Sequence, residues 1–402
     1  MNIMYIAYSC DPYNGSEDKI GWNVPVESAK TNNVYVITKE EQRRSIEKYL
    51  SEHMLENIEF YFIDIPKFYK KIFKGFMYSG RLNVWHRRVF SLAKKICKEK
   101  NIDIIHQVTP IEFRAIGDYG KIPNVKFVCG PLGGGEFIPQ GLEDYAKGHK
   151  IVEIIRKIIN YWFRYNQKIT GKIKQCDFIM FANKETCTFM LGDENKVLTE
   201  IAIDKTEIER EIKKTNKGKK CIFLVAGRVI YRKGHDFLLD ALTRMPEDLE
   251  YECRIVGDGS ERGRLQKRCS SDEKLSAHIV FVGKRTHAEM EKEYQNADVL
   301  IMPSIRETTG TVLLEAMSKG LPVIAINKFG GAILLDDKTG WLYEGNSKEL
   351  YVENLKQVII DCILNPDKVR IRGNNARKMA ERYTWENKNC FYQKIYCELL
   401  EN

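Results

Sequence analysis

Short apolar runs alternate with polar, helix-capable segments along the whole chain. The runs predicted as strands in the first half are residues 3–9, 34–38, 58–63, 102–106, 125–129 and 178–182. The second half repeats the pattern with runs at residues 221–226, 251–256, 279–283, 297–303 and 321–326. Strands that alternate with helices are typical of parallel sheets covered by helices on both faces. The pattern therefore predicts an α/β protein with two doubly wound domains.

A charged segment without aromatic residues separates the two halves of this pattern. Residues 204–220 read DKTEIEREIKKTNKGKK, and the order of strand, glycine, basic loop and helix begins again directly after them. We predict a first domain at residues 1–203 and a second at residues 204–382, since a chain of 402 residues commonly forms two domains. The tail, about residues 383–402, is amphipathic and is expected to belong to the first domain.

The stretch from Ser304 to Gly320 places a polar loop before a short apolar helix that follows a predicted strand. Glu307 lies in the loop and Glu315 lies eight positions later in the helix. Amides at a helix start attract phosphate, and ionised carboxylates accept hydrogen bonds from hydroxyl groups. This order of groups suits a nucleotide sugar, although two glutamates at this spacing also occur by chance in many helices.

Two cations follow the first strand of the second half. Arg228 and Lys233 are five residues apart across a short glycine-flanked loop. Arginine offers a planar fork of donors and lysine a point charge, and both groups bind phosphate. The pair is a candidate site for a diphosphate leaving group, and a solvated basic loop is the alternative.

Three features of the first half are candidates for substrate contact. Three successive glycines follow the strand at residues 125–129, and they favour close approach to a ligand or a hinge: Gly133, Gly134 and Gly135. His106 ends a strand, where it either touches substrate or has a structural role. Gly15 and Ser16 allow the backbone after the first strand to approach an anion, with an ordinary surface turn as the alternative.

The net charge of +9 is concentrated in two segments that also contain many aromatic or large apolar residues. These segments are residues 67–100 and residues 147–174. Basic, apolar, helix-capable segments suit an anionic membrane surface, and a solvated face over a core stripe is the alternative. No nucleic-acid-binding motif accompanies the charge, so a nucleic-acid partner is not expected.

The remaining composition favours a cytoplasmic protein, either free or peripheral on the inner face of the cell membrane. The eleven cysteines are scattered without a C-x-x-C pair, so we expect reduced, mostly buried thiols and no zinc site or disulfide framework. The start of the chain resembles a first strand rather than a signal peptide, and no 18 apolar residues run together.

Several motifs in the second half together resemble the GT-B glycosyltransferases of family 4. They are GRVIYRKGHD at 227–236, IVGDGSERGRL at 255–265, the Glu307-x7-Glu315 pair with GLPVIA, the glycines 330–331, and RYTWE before the tail. In the first half, HQVTP and GPLGGGE resemble a bacterial polysaccharide-making subgroup. The resemblance implies two Rossmann-like domains facing across a cleft, with a C-terminal helix that crosses back to the first domain.

The resemblance also implies a role for each matching residue. Glu307 is expected to contact hydroxyl groups of the donor sugar and Glu315 the ribose, while Arg228 and Lys233 bind and stabilise the leaving diphosphate. The donor phosphates are expected to face Gly310, Thr311 and Val312, and the base to lie near Gly283. Thr308 and Thr309 stand where the family commonly has Pro and Phe, so Thr309 is expected to affect donor selectivity. Gly15 and Ser16 match the family's amino-terminal glycine loop only loosely.

The reaction implied by the resemblance is retaining sugar transfer from a nucleotide diphosphate sugar, with UDP favoured over GDP. The expected acceptor is a glycan or a lipid-linked glycan, and neither a cofactor nor a metal ion is expected. A sugar-nucleotide 2-epimerase of the same architecture is the principal alternative, and an inactive binding module is the second. Joint presence of Arg228, Lys233, Glu307 and Glu315 disfavours the binding module.

Overall fold

The computed structural model describes residues 1–73, 75–208 and 220–401, and the backbone alone at Phe76. Most of the predicted linker, residues 209–219, therefore lies outside the described residues. Lys74, within the first basic segment, lies outside them as well.

The described chain contains twelve strands that form two sheets. Their bounds are β1 Asn2–Ala7, β2 Asn33–Lys39, β3 Ile58–Ile63, β4 Ile104–Thr109, β5 Lys126–Leu132, β6 Phe178–Phe181, β7 Cys221–Ala226, β8 Tyr251–Val256, β9 Ile279–Gly283, β10 Val299–Met302, β11 Val323–Ile326 and β12 Gly340–Tyr343.

Fifteen α-helices connect and follow these strands in the described chain. They are α1 Glu17–Ala29, α2 Arg43–Glu52, α3 Lys67–Ile72, α4 Tyr78–Lys100, α5 Lys150–Thr170, α6 Lys184–Leu191, α7 His235–Leu242, α8 Arg262–Ser270, α9 Glu273–His278, α10 His287–Asn296, α11 Thr311–Ser318, α12 Gly331–Leu334, α13 Lys348–Leu364, α14 Pro366–Ala380 and α15 Trp385–Glu401.

The first sheet has the strand order β3-β2-β1-β4-β5-β6, and all its neighbouring strands pair in parallel. Its central strands β1 and β4 are almost completely buried, as expected when helices cover both faces, although β4 contains His106, Gln107 and Thr109. The C-terminal helix α15 packs in this unit, where the Tyr396 hydroxyl lies 3.2 Å from the Tyr5 hydroxyl. The predicted doubly wound architecture is confirmed for this half.

The second sheet repeats the plan with the order β12-β11-β10-β7-β8-β9, again in parallel. Phe223, Phe237 and Leu355 belong to the buried cluster between this sheet and its helices. In both sheets the chain runs outward from one central strand and then returns to its other side. Two parallel doubly wound sheets are thus present, as the apolar pattern predicts.

The chain divides into two compact units. The first contains residues 1–135, 154–202 and 385–402, and the second contains residues 136–153 and 203–384. The one substantial difference from the predicted boundaries is the segment 136–153, which the sequence pattern assigned to the first domain. Leu142 and Tyr145 of this segment are buried in the apolar core of the second unit, which explains the difference.

Candidate functional site

The candidate donor site lies at the carboxyl edge of the second sheet. Strand β7 is flanked by β8 on one side and by β10 on the other, so the strand order reverses between β7 and β10. Open α/β sheets bind ligands in the crevice outside the carboxyl ends of strands at such a switch point. The loops after β7 and β10 carry the predicted cations and Glu307, respectively.

The loop after β7 is packed closely against the loop after β10. A Cβ atom on Gly234, which has a φ of +71°, would lie 1.9 Å from the Pro303 carbonyl oxygen, so only glycine fits there. The backbone amides of Ile305 and Arg306 donate to the Arg232 carbonyl at 3.0 and 3.3 Å. These contacts hold the two loops in a fixed relation.

Lys233 and Glu307 meet as an ion pair between these loops. Their side chains are only 16% and 13% exposed. Burial tends to raise the pKa of the Glu307 carboxyl, but the attraction of Lys233 and Arg232 outweighs it and holds the pKa below its ordinary value. Glu307 is therefore an ionised acceptor at neutral pH.

Further guanidinium groups surround this pair. Arg232 interacts electrostatically with Glu307, Arg306 and Arg228, and burial lowers the pKa of Arg232. Arg228 at the end of β7 is exposed to solvent. Four cations thus lie in two neighbouring loops, an arrangement that favours an anion with several oxygen atoms.

Helix α11 begins beside this cluster. Its N-cap is Gly310 with a φ of +92°, where a Cβ atom would lie 3.0 Å from the Met302 sulfur. Thr311 and Val312 form the first turn, whose amides have no acceptor within the helix and carry the positive end of its dipole. Glu315 lies one turn later, and its Oε2 accepts a hydrogen bond from the Tyr294 hydroxyl at 2.8 Å.

The other residues predicted on the donor side lie in the same unit. Gly283 ends β9 with a φ of +84°, which agrees with a tight turn at the sheet edge. Thr309 is fully buried, and its carbonyl oxygen is only 2.0 Å from where Gly330 would carry a Cβ atom. The Thr309 side chain has no exposed surface. The effect of Thr309 on donor selectivity stays a prediction.

The predicted acceptor-side histidine is part of the first unit's core. His106 is fully buried, with Nδ1 2.6 Å from the Tyr396 hydroxyl and Nε2 2.7 Å from the Gly130 carbonyl. Burial lowers the pKa of the His106 ring to about 4, although the Gly130 carbonyl opposes the change. Its ring is therefore neutral and structural rather than presented to an acceptor.

The three-glycine loop of the first unit is held by close packing. The Gly134 carbonyl accepts hydrogen bonds from Arg156 Nη2 at 2.6 Å and Asn160 Nδ2 at 3.0 Å. The Gly135 amide donates to Thr186 Oγ1 at 3.2 Å, and a Cβ atom on Gly135 would meet Thr186 at 3.0 Å. Packing against side chains accounts for Gly135, while Gly133 is buried in the same loop.

The predicted amino-terminal anion loop is an exposed connection between β1 and α1. Gly15 and Ser16 are exposed, and no other atom lies within 4 Å of where Gly15 would carry a Cβ atom. Ser16 is the N-cap of α1 and has a φ of 59°, in the left-handed region. Its backbone is exposed to solvent, and the contact of this loop with a phosphate stays a prediction.

Sequence reasoning missed four residues of the site. They are Tyr231, Arg232, Arg306 and Glu153. Two of these are cations next to predicted residues, so the local charge was a usable signal for them. Glu153 precedes Arg306 by 153 residues, and no local pattern connects the two.

Within the described ranges, no group of three or more His, Cys, Asp or Glu side chains is arranged to hold a metal ion. No helix in the part of the chain that the structure describes is both long and apolar enough to cross a membrane.

The second unit matches a known family. Residues 207–379 match the model of the family described as glycosyl transferases group 1. A sulfoquinovosyl transferase of Arabidopsis thaliana is 30% identical over 171 residues, which is 42% of this chain and 31% of that protein. A D-inositol 3-phosphate glycosyltransferase of Corynebacterium urealyticum is 33% identical over 171 residues, 40% of this chain and 39% of that protein. The matched part spans half or less of the length of these curated relatives.

Solved structures resemble the chain over nearly its whole length. The Anabaena protein HepE in complex with UDP has a TM-score of 0.65 at 16% identity, covering 99% of this chain and all of that one. A glycosyltransferase from Rickettsia africae has a TM-score of 0.64 at 18% identity, covering 100% and 99% of the two chains. At such identities the likeness concerns the fold alone. The two sheets therefore have the GT-B type of fold, and the family match covers residues 207–379 of the chain.

Proposed function

We propose that the chain is a retaining glycosyltransferase of family 4 that transfers a sugar from a nucleotide diphosphate sugar to a glycan or lipid-linked glycan. The observation that carries the proposal is the buried Lys233–Glu307 pair among Arg228, Arg232 and Arg306 at the sheet's switch point. A UDP-sugar is the favoured donor, supported by the UDP complexes of the structurally similar HepE. A role in cell-surface polysaccharide synthesis belongs to the same proposal.

The geometry supports a division of roles within the donor. The exposed Arg228 and the Lys233 ammonium neutralise the diphosphate, while the first amides of α11 donate to its oxygen atoms. Glu307, which is ionised, accepts hydrogen bonds from sugar hydroxyls, and Glu315 accepts from the ribose. In this division of roles, Lys233 interacts both with the Glu307 carboxylate and with the leaving diphosphate.

Positioning and electrostatics would carry most of the rate. As the bond to the sugar's anomeric carbon breaks, negative charge builds on the diphosphate and positive charge on the sugar ring. The fixed cations stabilise the first and Glu307 the second. The acceptor hydroxyl attacks from the side on which the diphosphate leaves, and its proton passes to the departing phosphate.

A membrane-facing surface is the second part of the proposal, and it rests on α5. The two buried residues of this helix, Asn160 and Gln167, are polar, and each donates to a backbone carbonyl. Its outward positions are exposed and apolar, at Ile151, Ile154, Ile155, Ile158, Tyr161, Trp162, Tyr165 and Ile169. Lys150, Lys157 and Lys168 are exposed on the same helix. An apolar face with flanking cations suits an anionic membrane surface.

The test of the reaction uses the purified protein with UDP-, GDP- and ADP-sugars, with and without a lipid-linked sugar acceptor. We expect release of the nucleotide diphosphate only when the acceptor is present. A labelled sugar from the donor should then appear in the acceptor. Formation of an epimeric nucleotide sugar from the donor alone would instead establish the 2-epimerase. Nucleotide binding without either product would identify a binding module.

A further inference from the structure

Residues 136–153, which we call the strap, form a separate piece of the second unit. The strap is joined covalently to residues 135 and 154, which belong to the first unit. Leu142 is fully buried in the core of the second unit, and the Tyr145 hydroxyl donates to Asp240 Oδ2 at 2.6 Å. A Cβ atom on Gly141 would lie 2.8 Å from the Ser347 backbone. The middle of the strap is therefore docked closely on the second unit.

The end of the strap reaches the loops of the candidate donor site. The His149 ring stacks on the Tyr231 ring, with centroids 4.0 Å apart and an interplanar angle of 12°. Glu153 Oε1 accepts a hydrogen bond from the Tyr231 hydroxyl at 2.5 Å and another from Arg306 Nη2 at 2.9 Å. The Arg306 and Glu153 side chains are only 13% and 15% exposed.

One carboxylate thus binds both donor-site loops. Tyr231 opens the short turn that ends at Lys233, and Arg306 immediately precedes Glu307. Loss of the carboxylate would leave the Arg306 guanidinium and the Tyr231 hydroxyl without this acceptor in a largely buried place. Groups in that position reorient toward other acceptors, because a buried unpaired donor is costly. The loops would then shift with them.

We propose that Glu153 is a positioning residue for the donor site, which sets the relative placement of Lys233 and Glu307 through Tyr231 and Arg306. This inference rests on the proposed function, because it assigns a role toward the same donor. Glu153 itself is not assigned a contact with the donor. Glu153 holds the loop after β7 and the loop after β10 in a fixed position relative to each other.

Variants of Glu153 and Tyr145 distinguish positioning of the donor-site loops from simple anchoring of the strap. Glu153→Ala removes the shared acceptor, and Glu153→Gln keeps an acceptor oxygen but removes the charge. Tyr145→Phe is the matched control, since it removes a hydrogen bond of the same strap to Asp240 in α7 and leaves both hydrogen bonds of Glu153 in place. All three proteins are compared with the wild type by thermal unfolding.

Steady-state kinetics give the first readout. Displacement of reacting groups by about 1 Å can cost about a hundredfold in rate, so kcat of Glu153→Ala is expected to fall between tenfold and a hundredfold. The donor KM is expected to change less than about threefold, because Arg228 and the α11 amides still bind the diphosphate. Glu153→Gln should recover part of kcat, and Tyr145→Phe should stay within about twofold of the wild type. Equal kcat losses in Glu153→Ala and Tyr145→Phe would overturn the proposal.

A double variant tests whether Glu153 acts through Arg306. If it does, adding Glu153→Ala to Arg306→Met lowers kcat little beyond Arg306→Met alone, because contacting residues are not additive. Fully multiplicative losses would contradict this route.

A readout without turnover keeps the inference separate from the proposed function. Hydrogen exchange is measured on the intact wild type, Glu153→Ala and Tyr145→Phe. Faster exchange at the amides of residues 231–235 and 305–308 is expected in Glu153→Ala alone. If the wild type transfers no sugar, the proposed function fails while this measurement still decides the role of Glu153 in the loops. Unchanged exchange in Glu153→Ala would overturn that role.

Discussion

At the scale of single residues, the Lys233–Glu307 ion pair joins the two loops of the candidate site. Its two side chains are mostly buried, so removing one partner leaves the other charge unpaired in a poorly solvated place. Such removal commonly costs about 3–5 kcal/mol of stability. Variants that keep the shape of the side chain are therefore needed to separate function from folding.

Glu307→Gln is expected to lower sugar transfer by about a hundredfold, a loss typical of removing one electrostatic contact to a transition state. UDP affinity should change less than about fivefold, because Lys233 stays in place for the diphosphate. Glu315→Gln provides the contrast: it should weaken UDP binding by about tenfold, the value of one hydrogen bond to a charged group. Calorimetry and a transfer assay measure the two effects, and an unchanged transfer rate in Glu307→Gln would remove that residue from the site.

His106 makes a prediction about stability rather than catalysis. Its pKa of about 4 in the folded chain lies below the ordinary value of 6.5, so the unfolded chain binds the proton more readily. The contribution of His106 to the free energy of unfolding is therefore fully present above about pH 6.5, and it is lost as the pH falls toward 4. Between pH 8 and pH 5, the loss through His106 alone is about 2 kcal/mol.

Urea unfolding of the wild type and His106→Gln at several pH values tests this. The free energy of unfolding of the variant should fall by about 2 kcal/mol less between pH 8 and pH 5. His86 and His235, whose pKa values burial also lowers, continue to destabilise both proteins in acid. Parallel pH dependences would show that His106 is not buried in its neutral form.

At the scale of elements, the two basic segments behave differently. In α4 the apolar side chains are buried, among them Leu82, Trp85 and Val89, so its basic residues form a solvated face over a core stripe. The exposed apolar residues of the first segment lie before it and at its start, at Phe68, Tyr69, Ile72, Met77 and Tyr78. Helix α5 differs, because its two buried residues are polar and many of its large apolar residues are exposed. The membrane proposal therefore concerns α5 and residues 67–78 rather than all of 67–100.

Sedimentation with vesicles tests the role of α5. Replacing Ile158 and Trp162, which are 63% and 57% exposed, with Ser is expected to weaken binding to phosphatidylglycerol vesicles at least tenfold. Burying a large apolar side chain contributes about 1.5–3 kcal/mol, which corresponds to that factor. Ile371→Ser in α14 is the control, because Ile371 is 54% exposed outside this surface. Equal binding of all variants would refute the membrane-facing surface.

At the scale of the whole molecule, one architecture occurs twice, and the cations of the candidate donor site belong to the second copy. That copy carries the four cations and the α11 start at its switch point. A ligand present at about 100 times its dissociation constant adds about 2.7 kcal/mol to the stability of the state that binds it. Donor binding is therefore measurable without knowledge of the acceptor.

A thermal-shift panel of UDP, GDP and ADP is expected to raise the melting temperature by several degrees with UDP and by less with the other two. In Arg228→Ala the UDP shift should shrink, while the melting temperature without ligand stays within about 1 °C, because Arg228 is exposed. A full UDP shift in this variant would exclude Arg228 from the diphosphate site. A larger shift with GDP would reverse the favoured donor.

Apolar periodicity by itself determined eleven of the twelve strands and the repeated doubly wound plan. Burial on both faces of a parallel sheet requires continuous apolar runs, and such runs are visible in the sequence. Strand β12 was missed, because it begins with Gly340 and its apolar run is only three residues long, shorter than the runs of the other four-residue strands. The α11 start, Glu307 and the Arg228–Lys233 loop were also predicted, because their chemistry lies within local motifs.

Only the tertiary structure decided which distant residues meet. Whether His106 faces a ligand or the core depends on α15, which begins 279 residues later, and on the Gly130 carbonyl. Whether an amphipathic helix turns its apolar side inward depends on its neighbours, and α5 turns it outward. The assignment of the strap to the second unit, and of Glu153 to Tyr231 and Arg306, follows from packing between segments far apart in the chain. Local sequence determines secondary-structure propensity and charge, whereas such long-range contacts form only when the hydrophobic cores pack.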